Sequence, residues 1–207
     1  MHLLLTDRLI CPRCGPGFGL VLRADQLRDR RVASGGLGCP NCREVYPVVD
    51  GVGDLRPPPR GATEAGDPAP LPDPATVLAT QALLGVADGT GEILLLGGAA
   101  RFGPGLAERL PQVEVVTAGP VPAGLEPESP PASAIRVGSR LPFDSRSLRG
   151  VVLEGDVPVP LLREAARVVA AGHRVVVREA GGSAAAMLMA AGLTVRLDED
   201  GVVVAGR

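Results

Sequence analysis

Two pairs of cysteines constrain this chain more than any other feature of its sequence. Cys11 and Cys14 form one C-x-x-C pair, and Cys39 and Cys42 form a second pair after 24 intervening residues. Tetrahedral Zn²⁺ takes four thiolates at about 2.3 Å, and a tight turn in each pair can present two of them. Proline follows the first cysteine of each pair and favours such a turn. The spacing therefore predicts one zinc site with Cys11, Cys14, Cys39 and Cys42 as its ligands.

Two disulfides, or a redox-active dithiol, are the alternative roles for these cysteines. The first ten residues hold only a short apolar run and carry Asp7 and Arg8, which predicts neither a signal peptide nor a membrane span. We therefore expect a cytoplasmic protein, and the reducing cytosol disfavours disulfides. A redox C-x-x-C motif needs no second copy. Because four sulfur ligands leave no open coordination position, the predicted zinc is structural and not catalytic.

The residues around the cysteines resemble a known family. Leu-Ile-Cys-Pro-Arg-Cys at 9–14 and Cys-Pro-Asn-Cys-Arg-Glu-Val-Tyr-Pro-Val-Val-Asp-Gly at 39–51 are similar to the small zinc-ribbon activators of tRNA, rRNA and release-factor methyltransferases. The resemblance covers residues 1–56. It implies a zinc ribbon that has no active site of its own and that docks on a methyltransferase by pairing strands with it and covering its apolar surface.

The rest of the chain divides by composition. Residues 57–75 are rich in proline and lack hydrophobic periodicity, so we expect a linker, either a plain spacer or a ligand for another domain. From 76 to 207, short apolar strands alternate with helical patterns, which predicts a second, α/β domain with a mostly parallel sheet. The predicted elements are helix 76–86, strand 93–96, helix 104–110, strands 113–117, 135–137 and 151–153, helix 161–171, strand 174–177, helix 183–191, and a hairpin of 193–197 and 202–205. Residues 120–133 hold too much proline for the helix expected there.

This order, with its final hairpin, resembles class I S-adenosylmethionine-dependent methyltransferases. The strongest local similarities are Leu-Pro-Phe-Asp at 141–144 leading into Gly-Val-Val-Leu-Glu at 150–154, and the helix and strand of 162–177. The predicted fold class is accordingly α/β, a small four-cysteine zinc ribbon plus a short Rossmann-like, methyltransferase-type domain. The two resemblances together imply that the ribbon packs on the second domain in cis.

The resemblance also implies a cofactor pocket outside the carboxyl ends of the parallel strands. Gly97 and Gly98 follow the first strand of that domain and let the backbone approach a ligand, and Glu154 ends its fourth strand. We take Gly97, Gly98 and Glu154 as candidate cofactor-binding residues. Asp156 is either a further site residue or a helix cap.

Three carboxylates that the family presents to S-adenosylmethionine are missing. Leu95, Ala118 and Ser139 stand near their positions, and each lost charge-assisted hydrogen bond removes about 1.5–3 kcal/mol. A slipped alignment would let another acid take a missing place, and the candidates are Glu92, Glu114 and Glu126. No pairing of a nucleophile with a base is visible, and His2 and His173 are expected to be structural or surface residues.

Charge and composition limit the remaining functions. The formal net charge is −2 and only 2% of residues are aromatic, so the whole chain lacks both the basic excess and the stacking platforms of nucleic-acid binders. The favoured hypothesis is a zinc-stabilised scaffold with an eroded S-adenosylmethionine pocket that docks a protein or ribonucleoprotein partner. The alternatives are an active S-adenosylmethionine-dependent methyltransferase with its activator fused in cis, and a ribbon that binds nucleic acid directly.

Overall fold

One mixed sheet runs through the whole computed structural model, which describes residues 1–61, 70–118, 132–155 and 157–207. Its order among the described residues is β1-β2-β3-β4-β7-β6-β5-β8-β9-β11-β10. The strands are β1 (Val21–Arg28), β2 (Arg31–Gly38), β3 (Val45–Val49), β4 (Val52–Asp54), β5 (Gly91–Gly97), β6 (Val113–Ala118), β7 (Ala132–Arg136), β8 (Leu148–Glu154), β9 (Val169–Arg178), β10 (Thr194–Glu199) and β11 (Val202–Gly206). The helices are α1 (Pro74–Leu84), α2 (Gly103–Arg109), α3 (Val159–Val168) and α4 (Ala184–Ala190), with 3₁₀ turns at Leu3–Arg8 and Gly98–Phe102.

The second half of the sheet is parallel from β7 to β9. Strand β5 pairs with β6 on one side and with β8 on the other, and β9 extends the row beyond β8. These strands are runs of Val, Leu and Ile because helices cover both faces, α1 and α2 on one and α3 and α4 on the other. Strand β11 then pairs antiparallel with β9, and β10 with β11. The predicted α/β class, with a parallel sheet and a final antiparallel hairpin, is confirmed.

The first half of the sheet is an antiparallel meander of four short strands. A turn at Asp50 and Gly51 joins β3 to β4, and both residues have positive φ angles, 50° and 74°. The hairpin of β1 and β2 was not among the predicted elements. Its turn is formed by Asp29 and Arg30, also at positive φ, where the sequence offers no glycine as a signal.

The two halves join where β4 pairs in parallel with β7. Val52, Gly53 and Asp54 lie opposite residues 134–136, and the Leu55 amide donates to the Arg136 carbonyl at 2.8 Å. A single apolar core spans the junction. It contains, from both sides, Leu9, Tyr46, Val48, Leu55, Ile135 and Phe143.

Polar contacts close the amino-terminal edge of the same junction. Arg8 pairs with Glu92 at 3.2 Å, and the His2 amide donates to the Ser133 hydroxyl at 2.7 Å. That hydroxyl donates in turn to Glu114. Burial raises the pKa of Glu114. The acids that begin β5 and β6 therefore contact the first segment of the chain.

One boundary prediction was wrong. Helix α3 ends at Val168 and not at Ala171, and β9 begins at the next residue. Val169 is already extended because it pairs across the sheet with Leu148, so strand pairing overrides the helical pattern. The other predicted helices and strands of the second domain agree with the structure to within a few residues at each end. The proline-rich segment 120–133 lies almost wholly outside the described residues.

Among the described residues, no helix has both the length and the apolar character needed to cross a bilayer.

The continuous core predicts that the two halves unfold together. Leu55 is fully buried at the junction, so Leu55→Ala should lower the free energy of unfolding by about 2–5 kcal/mol. Leu71→Ala is the matched control, because that side chain is 64% exposed. Thermal denaturation followed by circular dichroism should show one transition that L55A shifts and L71A does not. Two separate transitions, with only one affected by L55A, would mean that the halves are independent domains.

Candidate metal centre and ligand crevice

The four predicted metal ligands converge on one point. Their sulfur atoms all lie within 4.8 Å of one another, with Cys11 Sγ to Cys42 Sγ and Cys14 Sγ to Cys39 Sγ both at 3.8 Å. A regular tetrahedron with metal–sulfur bonds of about 2.3 Å has edges of about 3.8 Å. The cysteines are free and not joined by disulfides. The residues present thus fit a single tetrahedral metal ion.

Local backbone geometry explains why each pair presents two sulfurs. Each C-x-x-C turn is closed by a backbone hydrogen bond to its first cysteine, from Gly15 to Cys11 at 2.8 Å and from Arg43 to Cys39 at 3.0 Å. Gly15 has φ +83°, a conformation in which a side chain would be strained, and the Arg140 guanidinium occupies the space beside it.

Further donors surround the sulfurs. The Cys14 amide lies 3.4 Å from Cys11 Sγ, Asn41 Nδ2 lies 3.3 Å from Cys14 Sγ, and the buried Tyr46 hydroxyl lies 3.5 Å from Cys11 Sγ. Burial raises the pKa of Cys11, but hydrogen bonds from Tyr46 and from the turn amides outweigh it and lower the pKa to about 7. Such donors stabilise thiolates, the form that binds zinc.

The second candidate site lies where the strand order reverses. Strand β5 is followed in sequence by β6 on one side, whereas β8 is added on the other, so a crevice opens outside the carboxyl ends of β5 and β8. Gly97 and Glu154 are directly paired at these ends. The structure therefore brings the three candidate residues Gly97, Gly98 and Glu154 together. Gly97 has φ 62° and ψ −134°, and an added Cβ would lie 3.0 Å from the Glu154 carbonyl oxygen, so the position requires glycine.

Arginine side chains occupy this crevice. Glu154 is buried, and its Oε1 accepts from Arg101 Nη2 at 2.7 Å and Nε at 2.9 Å. Its Oε2 lies 3.6 Å from Arg178 Nε and has no hydrogen-bond partner among the described residues. Both guanidinium groups also lie over the Phe102 ring, at 5.2 and 5.3 Å from its centre. We call Arg101, Glu154 and Arg178 the crevice ion cluster.

Two other segments fix the arginines of the crevice ion cluster. Arg101 Nη1 donates to the Pro70 carbonyl at 3.3 Å, which ties the end of the linker to the crevice. Arg178 Nη1 donates to the Thr80 hydroxyl of α1 at 3.3 Å. Sequence analysis named Glu154 but missed Arg178. The sequence shows only that Arg178 directly follows the predicted strand 174–177, and its place across from Glu154 depends on the strand order.

Among the described residues, no acid takes the place of the three expected carboxylates. Leu95 is fully buried in the apolar layer beneath α1 and α2, Ala118 is buried at the end of β6, and Ser139 is exposed in the loop after β7. Glu92 and Glu114 begin their strands and so lie at the opposite edge of the sheet. Glu126 and Asp156 fall outside the described residues.

A small cavity lies on the other face of the sheet, between α3 and α4. Its volume is about 110 Å³, and apolar side chains line most of it, among them Val157, Leu162, Val177 and Met187. Ligand pockets for molecules of drug or cofactor size measure about 300–1,000 Å³. This cavity is therefore too small for a nucleoside cofactor.

Comparison with known proteins supports the fold. No protein-family model matches the chain. No curated protein matches it either. Among solved structures, precorrin-6y C5,15-methyltransferase from Geobacter metallireducens GS-15 aligns over 64% of this chain and 88% of its own, with 11% identity and a TM-score of 0.50. At that identity the likeness shows the fold alone, which is of the Rossmann-like methyltransferase type.

Two further solved structures align less closely. The [4+2]-cyclase SpnF aligns over 60% of this chain and 58% of its own, with 18% identity and a TM-score of 0.49. The complex of the Haloferax volcanii Trm112 methyltransferase activator with a candidate methyltransferase aligns over 58% of this chain and 70% of that one, with 19% identity and a TM-score of 0.43.

The sulfur geometry predicts one zinc per chain in protein purified without chelators, measured by inductively coupled plasma mass spectrometry. Because a thiolate site couples metal binding to folding, strong chelation should destabilise the fold, and Cys39→Ser should produce the same loss. Adding chelator to the C39S variant should then change little. Zinc well below one per chain in unstripped wild-type protein, or disulfides among the four cysteines, would contradict the assignment.

Proposed function

We propose that this protein is a zinc-stabilised, methyltransferase-like docking protein whose crevice no longer serves S-adenosylmethionine. The observation that carries the proposal is the crevice ion cluster. In it, the protein's own guanidinium groups lie at the carboxyl ends of β5 and β8, where this type of fold receives its ligand.

Charge opposes the cofactor in this crevice. S-adenosylmethionine carries a positive sulfonium, and Arg101 and Arg178 place two more positive charges beside Glu154. In a partly dry crevice like charges repel strongly. The Glu154 carboxylate is already engaged by Arg101 at 2.7 Å, so a ligand would have to break that ion pair before using it.

The absent carboxylates add to the same effect. Leu95 and Ala118 cannot accept a hydrogen bond through their side chains, and Ser139 offers one neutral hydroxyl. Losing three charge-assisted hydrogen bonds of about 1.5–3 kcal/mol each would weaken binding by several orders of magnitude.

The docking part of the proposal rests on the junction of the two halves. The ribbon-like segment pairs β4 with β7 and buries Tyr46 and Leu55 against Ile135 and Phe143. This matches what the resemblance to methyltransferase activators implies, with the partner supplied in cis. Zinc held by the four cysteines would stabilise the segment and do no chemistry, because its coordination is complete. The outer surfaces of both halves then remain for another partner.

An active methyltransferase is the second candidate, and one observation favours it. Oε2 of Glu154 is buried without a hydrogen-bond partner among the residues that the structure describes, and an unsatisfied acceptor is where a ligand donor would bind. Two measurements separate the candidates.

The first is isothermal titration calorimetry with S-adenosylmethionine. We expect no measurable binding at cofactor concentrations up to about 1 mM, because a functional site binds in the micromolar range and an eroded one does not. An established methyltransferase titrated with the same cofactor stock serves as the positive control. Micromolar affinity for the wild-type chain would overturn the proposal and favour the enzyme.

The second is the stability of Glu154→Gln. If the crevice ion cluster serves to stabilise the fold, the substitution leaves two arginines without their carboxylate. It should then lower the free energy of unfolding by about 1–3 kcal/mol. Glu108→Gln on the exposed surface of α2 is the matched control and should change it little. An E154Q variant more stable than wild type would indicate a ligand site kept at a cost in stability.

A further inference from the structure

A cluster of arginines lies at the edge of the sheet opposite the crevice. Arg149 is the second residue of β8, Arg174 is the sixth residue of β9 and pairs opposite Gly150, Arg146 is in the turn just before β8, and Arg196 is on β10. Gly150 pairs with Arg174, and Arg174 with Gly206. Arg174 and Arg196 both lie beside Gly206. A Cβ atom added to this glycine would lie 3.4 Å from Arg196 Nε and 3.7 Å from Arg174 Cγ. We call these four residues, Arg146, Arg149, Arg174 and Arg196, the amino-edge arginine cluster.

None of the four forms an ion pair with a carboxylate of the described residues. The exposed acids nearby are Asp88 and Asp144 on neighbouring loops and Asp198 two residues along β10, and none of them forms such a pair. Glu92, at the start of β5, pairs with Arg8 instead. The opposite edge differs, because Arg56, Arg101 and Arg178 are each paired with a carboxylate there. Around the crevice, arginine charge is therefore paired with carboxylates, whereas at these four arginines it is not.

Two of the four guanidinium groups are held in place by backbone carbonyls. Arg149 Nη1 donates to the Thr90 carbonyl at 3.2 Å, and Arg174 Nη1 donates to Leu83 in the last turn of α1 at 3.1 Å. Arginine often caps a helix end in this way. Each guanidinium has five N–H donors, however, so these bonds orient the groups and leave most donors free. Arg146 and Arg196 are exposed.

We propose that the amino-edge arginine cluster binds the phosphodiester backbone of a nucleic-acid strand. Arginine's planar fork of donors matches phosphate oxygens. Strands β8, β9, β11 and β10 are neighbours, and at a spacing of about 4.8 Å they span about 14 Å, enough for several consecutive phosphates. None of the three phenylalanines or the single tyrosine lies in these four strands, so contacts fall on the backbone and not on stacked bases.

This inference rests on the proposed docking role in one respect, because it names a nucleic-acid strand as the chemical class of the docked partner. The surface proposed for nucleic acid and the crevice tested with S-adenosylmethionine lie at opposite edges of the sheet, and binding at each is measured separately. Either proposal can therefore fail while the other holds.

The test uses the full chain and fluorescence anisotropy with labelled 20-nucleotide oligouridylate and oligodeoxyuridylate at low salt. The variant Arg146→Ser/Arg196→Ser removes two exposed charges. Its control, Arg28→Ser/Arg30→Ser, removes two exposed charges from the β1–β2 hairpin. We expect both oligonucleotides to bind, the first variant to bind at least tenfold more weakly, and the control to bind like wild type. The slope of log K against log salt should become less steep by about 1.4 in the first variant, about 0.7 for each phosphate that it no longer neutralises.

The two histidines of the chain give a second measurement that reports location. Burial and the charge of Arg149 lower the pKa of His173, whereas burial, Arg31 and Arg30 lower the pKa of His2. Nuclear magnetic resonance titration of untagged protein should show that saturating oligouridylate raises the pKa of His173 and leaves that of His2 unchanged. Phosphates near Arg149 would offset its charge, which is the physical reason for the shift.

Several results would overturn the proposal. They are no binding of either oligonucleotide at low salt, equal weakening in both double variants, or a response at His2 in place of His173. Polyglutamate of similar length that binds as tightly as the oligonucleotides would also overturn it, because the surface would then recognise acidic polypeptides.

Discussion

The parallel pairing of β4 with β7 is the contact on which the rest of the structure depends. Without it, β7 would be the open edge of a parallel sheet, with unpaired amide and carbonyl groups exposed. Strand β4 has only three residues, so apolar burial must supply most of the stabilisation. Tyr46 connects this burial to the four-cysteine cluster, because its ring lies in the shared core while its hydroxyl contacts Cys11 Sγ. The cysteine cluster and the union of the two halves are thereby coupled through one side chain.

The crevice at the carboxyl ends of β5 and β8 is occupied by the protein's own charged side chains. A buried carboxylate at the end of β8 needs a partner, since an isolated buried charge is very costly. Arg101 and Arg178 provide it from the neighbouring strand ends, and Phe102 lies against both guanidinium groups. Buried ion pairs often add little net stability compared with apolar packing. In the function that we propose, their effect is on specificity, because they commit Glu154 to the protein and not to a cofactor.

The features that sequence alone predicts are those fixed by local patterns. The grouping of the four cysteines is predicted by their spacing, and the parallel strands are predicted by short apolar runs such as 93–96. The β1–β2 hairpin was missed because β1 is exposed along nearly its whole length and lacks the alternation of a half-buried strand. The end of α3 was misplaced because pairing of Val169 with Leu148 decides it. The partnership of Arg178 with Glu154 depends on which strands become neighbours, and local patterns carry no such information.

Strand direction also explains how a chain with a negative net charge can carry a local group of arginines. In a parallel sheet, residues that precede strands collect at one edge and residues that end strands collect at the other. Arg146 precedes β8 and Arg149 is that strand's second residue, whereas Glu154 and Arg178 end β8 and β9. A net charge of −2 averages over both edges, although phosphates respond to the local field within a Debye length of about 10 Å. Once the strand order is known, the sequence itself therefore indicates a basic edge. The position of Arg196 at that edge could not be predicted from strand direction alone. Arg196 lies in the antiparallel hairpin, at the register shift between Val195 and Leu197.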